Sequence, residues 1–199
     1  LIISDFFISS AWGLVSPIFA VFLLDSIEGG GAEVAGIAVG IYWITKSLLQ
    51  IPIGKYLDRN HGEKDDYWFM IAGLILSSFI PLGFLVSSQP WHIYALNFVY
   101  AVCMAVVLPP WGGIFTRHID KGKEAESWGF QSSAIGIGAG VAGVVGGIVA
   151  ETAGFPLLFV GVFVLNMIGA LLLLLIKTDI LPHSGNSGYL EFLRHRREK

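Results

Sequence analysis

The chain has 199 residues, 54% of them hydrophobic and 14% charged, with a formal net charge of -3 and a mean hydropathy of +0.70. That is too apolar for a soluble domain, and no polar segment is long enough to form a second one. Its cations are spread along short connections with no groove-sized patch, which points away from nucleic acid, and the lone Cys103 excludes an internal disulfide.

Six apolar runs follow in chain order, at 4–24, 34–56, 67–86, 91–115, 127–150 and 155–176. Each has the roughly 20 residues that cross about 30 Å of hydrocarbon at helical rise. The sequence therefore predicts an all-α membrane protein of six transmembrane helices, spanning 1–177, followed by a basic tail at 178–199. The first run lacks a basic leader and is long enough to span, so it is not read as a signal peptide. The connections are brief, which places any chemistry within the helices.

In span 1, Asp5, Ser9, Trp12, Ser16 and Phe19 recur at intervals of three and four residues and share one mostly polar face. Span 2 repeats the pattern with Gly36, Gly40, Trp43, Ser47, Gln50 and Gly54, beside Lys46. Span 4 adds Asn97, Tyr100 and Met104. Single serines on such helices commonly bond a neighbouring helix. As a set, however, the stripes predict a wetted pathway for a small solute, lined by Ser9, Trp12, Ser16, Trp43, Lys46, Gln50, Asn97 and Tyr100. Spans 3 and 6 are nearly all aliphatic and aromatic, and the pattern predicts that they face lipid.

Lys46 is the one cation deep inside a span, about ten residues or roughly 15 Å from either end. Insertion of such a residue at a helix centre costs about 2.5–3.5 kcal/mol, so it is expected to face water or an anionic group, including one on the solute. In span 5, Gly129, Ser133, Gly136, Gly140, Gly143, Gly147, Ala150 and Gly154 make a continuous small-residue face. That seam predicts close helix contact, either within this bundle or with a second one.

The other cations, Lys55, Arg59, Lys64, Arg117, Lys121, Lys123, Lys177, Arg194, Arg196, Arg197 and Lys199, fall after spans 2 and 4 and in the tail. The connections after spans 1, 3 and 5 carry only Asp25, Glu28, Glu33 and Glu151. By the positive-inside rule both termini are expected in the cytoplasm, with the protein in the plasma membrane. Shifted by 93 residues, the chain pairs Pro17 with Pro110, Glu33 with Glu126, Gly36 with Gly129 and Gly54 with Gly147. The expectation is a 3+3 inverted repeat of about 1–90 and 91–177, because three spans are an odd number and the second copy runs upside down.

The loop from Gly54 through Asp58, Arg59 and Gly62 to Lys64 resembles the signature loop of the major facilitator superfamily. Gly54, Asp58 and Arg59 match in place, while one extra residue precedes Gly62 and Glu63 replaces the first of the closing basic pair. Gly129, Gly138, Ala142, Gly143, Gly146 and Gly147 are similar to the span-5 motif of that superfamily's drug/proton antiporters, with Ala142 in place of its Gly and Gly143 in place of its Pro. The resemblance implies half of a rocker-switch carrier. Spans 1 and 4 would line the pathway, spans 2 and 5 would form the seam between halves (Gly129, Gly136, Gly140, Gly143 and Gly147), and Gly54, Asp58, Arg59 and Gly62 would form a conformational-switch loop.

Alternating access needs two such bundles, so a second six-helix half is expected. A homodimer ranks first, because the basic tail reads as a cytoplasmic terminus; a separate partner chain and a fragment of a twelve-span transporter are the alternatives. An intramembrane enzyme would need a Gly-x-Ser-Gly or clustered metal ligands within the spans, and neither is written here, so no catalysis, metal or cofactor is expected. The remaining rival is a non-transporting scaffold or assembly subunit, which would require neither Lys46 nor the polar stripe of span 1.

Overall fold

A computed structural model describes residues 1–60 and 63–175; Gly62 and the tail at 178–199 lie outside them. The described chain is helical throughout: α1 (Ile2–Val15), a 3-10 turn (Ser16–Ile18), α2 (Phe19–Ser26), α3 (Ala32–Asn60), α4 (Glu63–Ser78), α5 (Ile80–Leu85), α6 (Pro90–Arg117) and α7 (Glu124–Leu175). Five stretches are long and apolar enough to cross a membrane: Ile2–Ser26, Ala32–Arg59, Lys64–Leu85, Pro90–Arg117 and Glu124–Leu175.

The last stretch, 52 residues, would be about 78 Å long if straight, more than twice a bilayer core. It is not straight. Gly154 has φ 82° and ψ 167°, a conformation open in practice only to glycine, and Pro156 follows within the first turn of the second limb. The contacts show the fold-back directly. Asp5 meets Gln131, Gly13 meets Ala139 and Leu14 meets Gly146, so the limb before Gly154 runs parallel to α1. Ser4 meets Gly169 and Phe22 meets Phe159, so the limb after it runs antiparallel.

Proline also breaks the first stretch. Pro17 lacks an N–H and sits in the 3-10 turn, which separates α1 from α2. The predicted polar face of span 1 is divided there: Asp5, Ser9 and Trp12 lie on α1, whereas Phe19 lies beyond the turn, with its ring 5.5 Å from that of Phe84.

α6 repeats the arrangement of α1 with other partners. It runs parallel to α3, where Tyr42 meets Tyr100 and Gly54 approaches Pro109. It runs antiparallel to α4 and α5, where Asp66 meets Arg117 and Gly83 meets Leu96. Each central helix thus packs on one parallel and one antiparallel neighbour. The aliphatic runs of spans 3 and 6 turn out to be core as much as outer surface. Half of the most apolar part of α4–α5 is buried, and the core holds Tyr67, Met70 and Leu74 of α4 together with Leu158, Val162 and Leu173 of the last limb. Only 17% of the most apolar part of α3 is buried, because α3 packs extensively on α6 alone.

Candidate functional site

A cavity of about 320 Å³ opens inside the bundle between α1, α4, α6 and both limbs of α7. Ser9, Trp12 and Tyr100, three of the pathway residues expected from the sequence, line it. So do Asp5, Met104, Trp111 and Gln131. Helical spacing explains the α1 contribution, since positions 5, 8, 9 and 12 fall on one face. The Gln131 amide donates to Asp5 Oδ2 at 2.7 Å, tying the start of α1 to the first limb of α7. Trp111 forms one wall, stacked on Phe115 at 5.0 Å, with Trp128 at 6.1 Å.

An aromatic run leads from the cavity to Lys46. Trp12 packs on Tyr100 at 4.3 Å between centroids, and Tyr100 stacks on Tyr42 at 5.1 Å and 17°. The Lys46 Nζ lies 5.1 Å from the Tyr42 centroid and 3.5 Å from that of Trp43. Lys46 is only 6% exposed, and no carboxylate lies within ion-pair distance of it among the described residues. The ring faces stand in for one, since the aromatic quadrupole attracts an ammonium and does so more strongly where water is scarce. The expectation of an anionic solute group therefore gains nothing from burial of this lysine.

Four expected pathway residues, Trp12, Tyr100, Trp43 and Lys46, are thus brought together, and Ser9 lies on the cavity wall. Asn97 instead donates to the Ile93 carbonyl of its own helix at 2.9 Å, Ser16 is exposed in the 3-10 turn, and Gln50 lies a turn beyond Lys46, half-buried. Sequence reading missed Tyr42, which the stripe of α3 passes by one position. It also missed Gln131, whose partner is 126 residues away.

The span-5 seam divides in an informative way. A Cβ on Gly138 would meet Ser10 and Phe6, and one on Gly146 would overlap the Leu14 carbonyl, so these residues with Ala142 form the contact with α1. On the expected face, Gly129, Gly136, Gly140 and Gly147 have nothing within 4 Å of where a Cβ would stand. Gly143 sits at the border, where a Cβ would be 3.5 Å from Pro17. On α3, Gly36 and Gly40 are equally open, and Asp58 and Arg59 are exposed at its end.

A helical bundle of membrane-length apolar elements around a cavity with a polar wall defines an integral, multi-pass membrane protein. The chain belongs to the Major Facilitator Superfamily, whose family model matches residues 1–196. It is 24% identical over 99 residues to the proton-coupled antiporter flippase LtaA of Staphylococcus saprophyticus, covering 50% of this chain and 25% of that protein. To the protein of the same name in Staphylococcus epidermidis it is 23% identical over 115 residues, covering 58% and 29%. To the uncharacterized MFS-type transporter MJ1560 of Methanocaldococcus jannaschii it is 24% identical over 168 residues, covering 84% and 42%. The chain thus spans between a quarter and about two fifths of the length of these curated relatives.

Proposed function

We propose that this chain is one six-helix half of a secondary transporter that moves a small solute by alternating access against a second six-helix half. The observation that carries the reading is the continuous run from the cavity through Trp12, Tyr100 and Tyr42 to Lys46, which gathers residues of α1, α3 and α6 on one path. A scaffold has no use for a buried ammonium or for an acid in an internal cavity, because each lowers the stability of a membrane helix.

The second half docks, on this reading, across the faces of α3 and the first limb of α7 that the chain leaves open. Exposed Ile44, Leu48, Ile51, Ile137, Val141 and Val144 border the open glycines there, and a close approach of helices would cover both. The exchange of neighbours between α1 and α6 supports the inverted repeat. Asp58 lies at the end of α3, on the side where α7 begins at Glu124. We place it against the start of the other half's equivalent helix, whose free N–H groups and dipole favour an anion. Both termini lie in the cytoplasm in this arrangement, and the second half is another copy of the chain.

The test is reconstitution in proteoliposomes with a panel of radiolabelled small solutes, comparing the unmodified chain with Lys46→Met. Uptake that falls at least about tenfold in a variant of unchanged melting temperature supports the reading. Uptake at the unmodified rate removes Lys46 from the pathway. Mass photometry in nanodiscs separates the pairing options: a species of twice the chain mass supports the homodimer. A strictly single-chain species assigns the second half to another polypeptide.

A further inference from the structure

We propose that the cavity between α1, α6 and α7 is a binding site for an organic ammonium cation with an apolar or aromatic body. The site brings together one carboxylate, Asp5, and the aromatic side chains of Trp12, Tyr100 and Trp111, with Ser9, Gln131 and aliphatic side chains on the rest of the wall. No Lys, Arg or His lines it.

The carboxylate decides the sign of the ligand. Asp5 Oδ2 accepts from the Gln131 amide, a neutral donor that fixes the orientation of the group without cancelling its charge. Oδ1 has no hydrogen bond from any described residue. Asp5 is the one charged side chain of this lining, and no cationic side chain stands on the cavity wall to offset it. An anion would meet the Asp5 carboxylate with no cationic side chain beside it, so the charge of the lining disfavours it.

The walls decide the class. Trp is the strongest cation–π partner and Tyr follows, and rings converging beside a carboxylate suit quaternary or tertiary ammonium groups, which shed water easily. A compact metal ion would find one free carboxylate oxygen here and no further charged ligand, too few for a hard cation. At about 320 Å³ the space matches the lower end of small-molecule pockets, the size of one ring bearing a short ammonium arm. Lys46 shows the same chemistry inside the chain: its ammonium is buried against Trp43 and Tyr42, at the other end of the same aromatic run.

The site serves as the solute site only if the transport reading holds, so its test measures equilibrium binding and not uptake. Isothermal titration of the full chain in nanodiscs compares three probes of similar shape: benzyltrimethylammonium, its uncharged isostere neopentylbenzene, and phenylmethanesulfonate. The cation binds about tenfold or more tightly than the neutral isostere, and the sulfonate does not bind. Asp5→Asn weakens the cation by about tenfold, Asp5→Glu restores most of that loss, and Asp25→Asn, at the opposite end of the first stretch, changes nothing. Equal binding of cation and isostere by the unmodified chain overturns the proposal whether or not any variant folds, and so does unchanged binding in Asp5→Asn. Cation binding without uptake of any solute would strike the transport reading and leave this site standing.

Discussion

The Tyr42 and Tyr100 rings stack 5.1 Å apart at 17°, and through them α3 is joined to the aromatic wall of the cavity on α6. α3 packs extensively on α6 alone, and this stack lies within that contact. Aromatic pairs contribute about 0.5–1.5 kcal/mol beyond their buried area. A double-mutant cycle of Tyr42→Leu and Tyr100→Leu, read by thermal unfolding in detergent, is expected to give a coupling of about 1 kcal/mol. Additive losses would mean that the two rings act separately.

Topology has a direct test. Cys103 is only 6% exposed and packs in α6, so Cys103→Ser gives a background without accessible thiol. On that background Lys123→Cys and Glu151→Cys both place a thiol at exposed positions, one at each end of the bundle. A membrane-impermeant maleimide applied to intact cells is expected to label Glu151→Cys and to spare Lys123→Cys until the cells are opened. The opposite pattern would invert the orientation read from the charges.

The spans were legible in the sequence because roughly 20 apolar residues have few other uses. Even the turn at Gly154 was visible as the gap between the fifth and sixth runs. Long-range partners were not. Nothing local to Asp5 announces Gln131, and the break at Pro17 ends a periodicity that reads on past it through Ser16 to Phe19. The glycines of α7 show a different limit. When glycine and alanine occupy nearly every face, spacing cannot tell which face packs, and the tight contact fell on Gly138, Ala142 and Gly146 beside the expected seam.

The Asp66–Arg117 pair ties α4 to the end of α6 at 2.6 Å, with the Asp66 side chain 10% exposed and that of Arg117 45%. Its exposure is intermediate, so its value lies between those of surface and buried pairs. Asp66→Asn is expected to lower stability by about 1–3 kcal/mol, seen as a drop in melting temperature at low salt that shrinks in high salt. A variant that melts with the unmodified chain at every salt concentration would make the pair a bystander.

The two glycine faces of α7 make opposite predictions for the same substitution. In Gly146→Ala the new Cβ would fall 2.0 Å from the Leu14 carbonyl oxygen, so α1 and α7 must separate. Overpacking of this kind costs about 1–3 kcal/mol, a fall of several degrees in melting temperature for a chain of this size. In Gly140→Ala the methyl group meets nothing within 4 Å, and the helix gains up to about 1 kcal/mol of propensity. The isolated bundle should therefore melt unchanged or slightly higher. Gly140→Trp separates fold from assembly: the bundle still folds, because the side chain points into open space, yet a ring there holds a second half away. We expect its melting temperature to stay within a few degrees, while the species of twice the chain mass and solute uptake are both lost. A Gly140→Trp chain that still pairs and transports would show that this face meets lipid, and the seam between halves would have to be sought on α3 alone.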